Sequence, residues 1–462
     1  MSIFRTKELS EIRKELRNTK LKKNLGATDL VLLGLGGIIG TGIFVLTGLA
    51  AAKYSGPAIT LSFLIGAIAC VFTALSYAEL AAMLPVAGGS YTFAYATLGE
   101  GFAALVGWLA IMVATFGSAT VAAGWSGYVT GILEAAGLHI LPPELTKIPS
   151  EGGWVNFPAV FIISLLTFII YRGTKDAAKL NGILVFVKLS TIVFFLLAAF
   201  PHIDAKNWEV FAPNGFLGVI AGAGFVFMAY TGFDTLATAA EECKNPNRDL
   251  PIGIIGSLIG SAILYVIVSG LLTAIVPYAS LDNAEPMAYA LRVNGVNIGA
   301  KLVATGAITG MSTVVLSLIF GQSRILFVMA RDGMMPPFFG KIHERYSTPS
   351  YGVLVTGTIM ALIAGFAPVS TLGQLSSMST LLVFSMVSIC VMVLRYKKPN
   401  EKRPFRCPAV YLTASLSTLM CLLLLSQLFI ENWKPYLLSC LVGLVIYASY
   451  GYRNSHLNTS KR

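Results

Sequence analysis

Two apolar stretches carry glycine where a continuous helix would be expected: Gly34-Leu-Gly-Gly-Ile-Ile-Gly-Thr-Gly-Ile-Phe44 and Gly222-Ala-Gly-Phe-Val-Phe-Met-Ala-Tyr-Thr-Gly-Phe-Asp234. The chemistry they offer is that of the backbone itself. An interrupted helix leaves free carbonyls where one half ends and free amides where the next begins. The amides carry partial positive charge and suit a carboxylate, whereas the carbonyls suit an ammonium group or a cation. Glycine permits the unusual dihedrals and lets a ligand approach the chain. In the first stretch Thr41 and Gly42 would supply amides and Ile38 a carbonyl; in the second, Met228 and Thr231 would supply carbonyls. Both polarities in one place would recognise the zwitterionic head that all free amino acids share. Glycine at close helix packing, as in Gly-x-x-x-Gly pairs, is the competing explanation for either stretch alone. Two such stretches at corresponding places favour broken helices around a transport site.

A third feature is Lys188, inside Ile183-Leu-Val-Phe-Val-Lys-Leu-Ser-Thr-Ile-Val-Phe-Phe195. A lysine at mid-span costs about 2.5–3.5 kcal/mol on insertion scales, so it should face the protein interior. Burial weakens a lysine's hold on its proton. Lys188 is therefore a candidate to carry a coupling proton, or to replace a sodium ion by pointing its amine at helix-break carbonyls. The alternative is a permanently charged structural lysine paired with an acid, and Asp234 is the natural candidate. Phe225 and Tyr230 flank the second stretch and are candidate gates over a ligand. Glu79, Glu241 and Glu242 read as interfacial acids paired with nearby cations; Glu241 or Glu242 with Arg324 or Arg331 would form an inner gate.

The elements that must position these groups are membrane helices. The chain has 462 residues, of which 55% are hydrophobic and 12% charged, too little charge to cover a soluble surface. About twelve apolar runs of the length that a bilayer core requires are expected. They fall at 28–52, 57–82, 100–131, 154–171, 182–201, 215–240, 251–276, 298–330, 350–367, 371–394, 408–429 and 433–451. The interrupted stretches lie on the first and sixth runs, as the first helix of each of two five-helix repeats of opposite orientation. This predicts a cytoplasmic tail over 1–27 and a transport core over 28–394, with repeats at 28–201 and 215–394. Two further helices and a cytoplasmic tail would occupy 395–462. The net charge of +11 collects in the N-terminal tail and in alternate loops, a positive-inside pattern that puts both termini in the cytoplasm. It is not a nucleic-acid signature. Residues 6–23 read as an amphipathic helix on the inner membrane surface, and no cleavable signal peptide is expected.

Other chemistries find little support. The six cysteines have no paired spacing, and the four histidines sit in loops or at span ends, so neither disulfides nor a metal is expected. No nucleophile elbow, metal triad or phosphate loop points to an enzyme, and no catalytic residue or cofactor is assigned. A channel would need a polar stripe along its pore, and none is apparent. A receptor would be expected to carry a signalling domain beyond the short tails.

The chain resembles the amino acid–polyamine–organocation superfamily, in particular bacterial relatives of the cationic amino acid transporters. The resemblance rests on five motifs in order. They are Gly36-Gly-Ile-Ile-Gly-Thr-Gly-Ile-Phe44, Tyr77-Ala-Glu-Leu80 with Pro85-Val-Ala-Gly-Gly-Ser-Tyr91, and Tyr230-Thr-Gly-Phe-Asp234 running into Glu241-Glu-Cys-Lys-Asn-Pro-Asn-Arg-Asp-Leu-Pro251. Gln322-Ser-Arg324 with Ala330-Arg-Asp-Gly-Met-Met-Pro336, and Pro404-Phe-Arg-Cys-Pro408, complete the set. The resemblance implies an all-α membrane protein with a LeuT-type 5+5 inverted repeat and two extra helices. It also implies alternating-access amino acid transport in the plasma membrane, with Lys188 matching a lysine that replaces sodium in proton-coupled members. Relatives of this type carry an acid on the third helix after a Gly-Trp pair. Here Val113 stands in that place, with Gly117 one turn on, so an apolar pocket wall and a neutral amino acid substrate are expected. Proton symport is the favoured reading; exchange on the same fold, or a transporter-like amino acid sensor, are its rivals.

Overall fold

A computed structural model describes residues 4–9, 25–85, 88–138, 140–172, 177–344, 346 and 348–456; the side chains of 177–181 and 238–242 lie outside that description. Among the described residues the fold is all-helical, with one isolated bridge between Leu25 and Cys243. The principal helices are α1 (Ala27–Ile38), α2 (Ile59–Met83), α3 (Gly89–Thr97), α4 (Glu100–Ala135), α5 (Phe157–Arg172), α6 (Ala177–Ala199) and α7 (Gly215–Val226). They continue with α8 (Pro246–Ile275), α9 (Pro286–Val293), α10 (Asn297–Arg331), α11 (Ser350–Phe366), α12 (Val369–Lys397) and α13 (Val410–Ile446).

Eight helical stretches are long and apolar enough to cross a bilayer, and Ala27–Ile38, Phe157–Arg172 and Ser350–Phe366 are shorter apolar helices. Two of the eight, Gly42–Met83 and Val410–Asn454, run 42 and 45 residues. Each is roughly twice the ~20 residues that a bilayer core needs. Each is also bent part-way. The first turns at Gly56, whose φ of +61° suits glycine and which precedes Pro57; the second kinks at Asn432 (φ −124°, ψ 24°), three residues before Pro435. The sequence reading divides them at the same places. The outward faces are apolar: on α6, Ile183, Phe186 and Leu197 are exposed, while Lys188 on the same helix is fully buried. That asymmetry is what the insertion cost of a lysine demands.

Helix α2 is tied to the chain between α12 and α13 by a buried ion cluster. Arg395 donates to Glu79 through Nε (2.7 Å to Oε1) and Nη2 (2.8 Å to Oε2), and the Cys407 amide donates to Oε2 at 2.7 Å. Arg403 Nε lies 3.1 Å from Oε1, and its terminal nitrogens donate to the carbonyls of Leu394, Lys398, Pro399 and Glu401. Glu79 thus pairs with cations as expected of an interfacial acid, but it is buried rather than solvated. Removing one member of a buried pair leaves an uncompensated charge, at a cost of about 3–5 kcal/mol. Glu79→Ala is expected to lower the thermal unfolding midpoint of the purified protein far more than an exposed substitution such as Glu144→Ala.

The tail departs from expectation. Residues 5–8 are non-helical and docked on protein: the Lys7 amide donates to the Tyr95 carbonyl (3.1 Å), and the Glu100 amide to that of Arg5 (2.9 Å). Lys7 Nζ pairs with Asp332 at 3.1 Å, and Leu9 is buried. A carbonyl of α3, an amide at the start of α4 and a carboxylate at the end of α10 hold this segment against protein. The rest of the predicted amphipathic helix, residues 10–23, lies outside the described residues, as do His139 and Arg345. The side chains of Glu241 and Glu242, and with them the inner gate with Arg324 or Arg331, also lie outside the description.

Candidate functional site at two helix interruptions

Both glycine-rich stretches are interrupted, though not at every glycine. Helix α1 ends at Ile38, Ile39 is extended (φ −74°, ψ 108°), and a wide π-type turn starts at Gly42. The amides of Ile43 and Phe44 both donate to the Gly40 carbonyl, at 3.2 and 3.3 Å. The amides of Thr41 and Gly42 therefore lie between that first accepting carbonyl and the first amide that donates to it, as at any helix start. In the second stretch α7 gives way to a tight turn over Phe227–Tyr230. Thr231 is then extended (φ −66°, ψ 146°), Gly232 has φ +123°, and a 3₁₀ helix runs over Phe233–Glu242. The break lies at Thr231–Gly232. Gly34, Gly222 and Gly224 remain helical and serve packing: a Cβ there would meet Ser257, Ser55 and, at 3.1 Å, the Leu424 carbonyl, respectively.

The two breaks touch. A Cβ on Gly42 would collide with Ala229, and one on Gly232 would come within 2.7 Å of the Gly37 carbonyl carbon. Tyr265 of α8 spans the junction, its hydroxyl 2.9 Å from both the Ile38 and Ala229 carbonyls. The Met228 carbonyl accepts from the Thr231 amide (3.0 Å) and hydroxyl (2.5 Å), while the Met228 amide donates to Ser377 Oγ (3.0 Å). The carbonyls of Ile38 and Met228 thus already accept local donors. Thr41 Oγ1 does not share that satisfaction: it is buried and has no hydrogen-bond partner, and Ser118 Oγ on α4 is in the same condition. An unpaired buried hydroxyl costs roughly 1–3 kcal/mol, which a bound polar molecule would recover.

Lys188 completes the first break. Its Nζ donates to the carbonyls of Gly36 (2.6 Å) and Ile39 (2.8 Å) and lies 3.3 Å from Thr313 Oγ1 of α10. Gly310 leaves room for its stem, since a Cβ there would stand 3.3 Å from two Lys188 carbons. The amine thus points at helix-break carbonyls, and Asp234, its partner in the alternative reading, is not among the groups it contacts. Asp234 Oδ1 instead accepts from the Gly232 amide at 3.0 Å, capping the 3₁₀ helix that follows the second break. The carbonyls freed by the first break supply the negative potential that the alternative reading would have drawn from an acid.

A cleft with about 680 Å³ of atom-free space, partly open to solvent, reaches the second break from the side of α3. Of the predicted site residues it is lined by Val113, Thr231 and Asp234, and not by Ile38, Thr41, Gly42, Gly117 or Met228. Gly117 faces α12 and α10 instead, with Ser376 Oγ and a Leu318 methyl 3.3 and 3.4 Å from where its Cβ would be. The two gate candidates also stand away from this cleft. Tyr230 donates its hydroxyl to the Phe63 carbonyl (2.7 Å) and packs against Phe63 and Tyr265, so it braces the break. Phe225 packs on Tyr54 (ring centroids 5.3 Å apart), whose hydroxyl hydrogen-bonds with Gln374 and Glu431.

Sequence reasoning missed Tyr265, Thr313 and the pair formed across the cleft wall by Thr115 and Gln322, linked at 3.0 Å. A lone tyrosine or threonine on an apolar helix carries no distinguishing pattern. Among the described residues no group of three or more His, Cys, Asp or Glu is placed to hold a metal ion.

Comparison with known proteins shows the family. A family model described as amino acid permease matches residues 25–446. The chain is 42% identical to a branched-chain amino acid permease of Bacillus subtilis over 99% of both chains. It is 39% identical to a methylthioribose transporter of the same organism, again over 99% of both. It is 37% identical to the vacuolar cationic amino acid transporter 4 of Arabidopsis thaliana, over 82% of this chain and 64% of that one.

Proposed function

The chain belongs to the amino acid permease family, and from that premise we propose that it is a proton-coupled symporter of neutral amino acids. The observation that carries the coupling is the Lys188 ammonium seated on the Gly36 and Ile39 carbonyls, with no carboxylate among its partners. A cation already occupies the oxygen cage that a sodium ion would otherwise need. Its loss on deprotonation would free two carbonyls at the very turn that offers Thr41 and Gly42 amides to a substrate carboxylate. Binding and proton transfer then act on one piece of backbone.

In this reading the helical stretches make twelve spans, arranged as two inverted five-helix repeats over 28–201 and 215–394 with two helices appended. Both termini face the cytoplasm of a plasma-membrane protein surrounded by lipid. The cleft beside Asp234 is the inward path, and closure around Tyr54 and Phe225 blocks the opposite side. Ile38, Thr41, Gly42, Met228 and Thr231 hold the zwitterion, while Val113 and Gly117 border its side chain. An apolar residue at 113 leaves a cationic side chain without a counter-charge. A neutral, branched aliphatic side chain is the better occupant, consistent with the names of relatives from Bacillus subtilis and Lactococcus lactis.

The test is uptake into proteoliposomes with imposed proton and sodium gradients applied separately, across valine, leucine, isoleucine, alanine, serine, lysine and methylthioribose. Acid-driven uptake of the branched-chain amino acids, indifferent to sodium and poor for lysine, is expected. Stimulation by sodium alone would overturn the proton assignment. Preference for methylthioribose would overturn the amino acid assignment, and counterflow without net uptake would make the protein an exchanger.

A further inference from the structure

The cleft contains a polar pair that the zwitterion site does not use. Among the described residues Asp234 is the one acidic or basic residue lining it, and it forms no ion pair with another of them. Its recorded hydrogen bond is to the Gly232 amide through Oδ1. On the same cleft stands Tyr77 of α2, a fully buried residue whose hydroxyl makes no well-formed hydrogen bond and has only the Ser90 hydroxyl beside it as a side-chain partner. The Tyr77 ring packs edge-on against Phe93, Phe233 and Phe384, with centroids 6.1, 5.7 and 5.6 Å away. Phe233 is the chain neighbour of Asp234, and Phe384 also lines the cleft. Ser90 and Thr235 add hydroxyls to the same wall.

A carboxylate with no cation and a phenol without a well-formed hydrogen bond, lining a cleft with no other charge among the described residues, suit a small cationic group that donates several hydrogen bonds. An ammonium does so. Thr231, whose carbonyl belongs to the proposed zwitterion site, lines the same cleft. A molecule leaving the second break by this route therefore passes Asp234 next. We propose that Asp234 and Tyr77 form a second, release-side site, which takes the ammonium group of the amino acid after it leaves the helix-break carbonyls. The site rests on the transport reading above, and it divides substrate release into two shorter steps.

The experiment uses the full chain in membrane vesicles of opposite sidedness, measuring valine equilibrium exchange with no proton gradient. Substrate is varied on the cleft side in one preparation and on the opposite side in the other. Tyr77→Phe keeps the ring packing, and Asp234→Asn keeps an acceptor for the Gly232 amide. Each is expected to raise the apparent KM on the cleft side about tenfold while leaving the opposite side within about twofold, an effect on binding rather than on turnover. The corresponding α-hydroxy acid, which lacks the ammonium, should inhibit variants and wild type equally. A KM shift of equal size on both sides, or on neither, would overturn the site, as would stronger sensitivity of the α-hydroxy acid. If Asp234→Asn fails to fold, Tyr77→Phe decides alone. Absence of any amino acid exchange by the wild type would bring down the transport reading itself. Normal wild-type exchange with unshifted variants would bring down this inference only.

Discussion

Lys188→Ala is expected to abolish uptake driven by a proton gradient while leaving the protein in the membrane. The wild-type ammonium makes two short hydrogen bonds, to the carbonyls of Gly36 and Ile39. Hydrogen bonds to charged groups contribute about 1.5–3 kcal/mol each. If their making and breaking drive the first break between states, loss of both should depress acid-stimulated uptake at least about a hundredfold, because 1.4 kcal/mol is a factor of ten. Alanine alone does not separate coupling from support of the helix break, and Lys188→Arg does. A guanidinium keeps the charge and can reach carbonyls, yet it does not release its proton in proteins. Lys188→Arg should bind substrate, measured by thermal shift, and still fail to respond to a pH gradient. Acid-stimulated uptake at the wild-type level in either variant would remove this lysine from the mechanism. So would sodium-dependent rescue of Lys188→Ala to full rate with no change in the response to pH, since the oxygen cage would then be incidental to protons.

What the sequence disclosed about this region followed from residue type. Two glycine-rich apolar runs announced interruptions, and a lysine at mid-span had to turn inward, because lipid offers no partner for either. The location of the second break was legible only to within several residues. Gly222 and Gly224 have the same composition signal as Gly232, but they sit against Ser55 and the Leu424 carbonyl within an intact helix. Only the positive φ at Gly232 separates the two uses of glycine. The partners of Lys188 were legible as carbonyls freed by a helix break, but not which ones: nothing in residue type sets Gly36 and Ile39 apart from their neighbours. The aromatic gates show the same limit: Tyr230 and Phe225 flank the break in the sequence, but flanking says nothing about which way a ring points. Tyr265 ties both breaks together from α8 and has no local signature at all. Glu79 was legible as an acid with cationic partners, while its burial depended on how α12 and α13 fold back on α2.

Gly232→Ala should damage both stability and transport, for two separable reasons. At φ +123° an L-residue is strained, at a cost of about 1–3 kcal/mol. Its Cβ would also lie 2.7 Å from the Gly37 carbonyl carbon and 2.9 Å from the Ile38 amide nitrogen, which are backbone atoms that no rotamer change can move. Overpacking of a closed contact costs a further ~1–3 kcal/mol. Gly295→Ala isolates the first contribution, because Gly295 has φ +80° and nothing within 4 Å of its would-be Cβ. The prediction is a modest fall in thermal midpoint for Gly295→Ala with uptake preserved, against a larger fall for Gly232→Ala with uptake lost. The extra damage would be relieved only by moving one break away from the other, and the Ile38 and Ala229 carbonyls share the Tyr265 hydroxyl. Tyr265→Phe, which removes that link without adding an atom, should therefore reproduce part of the transport defect with little of the stability loss. Equal midpoints and equal uptake for the two alanine variants would mean that the breaks do not need to touch. The zwitterion would then have to be recognised by each half alone, and the case for a single site built from both would fail.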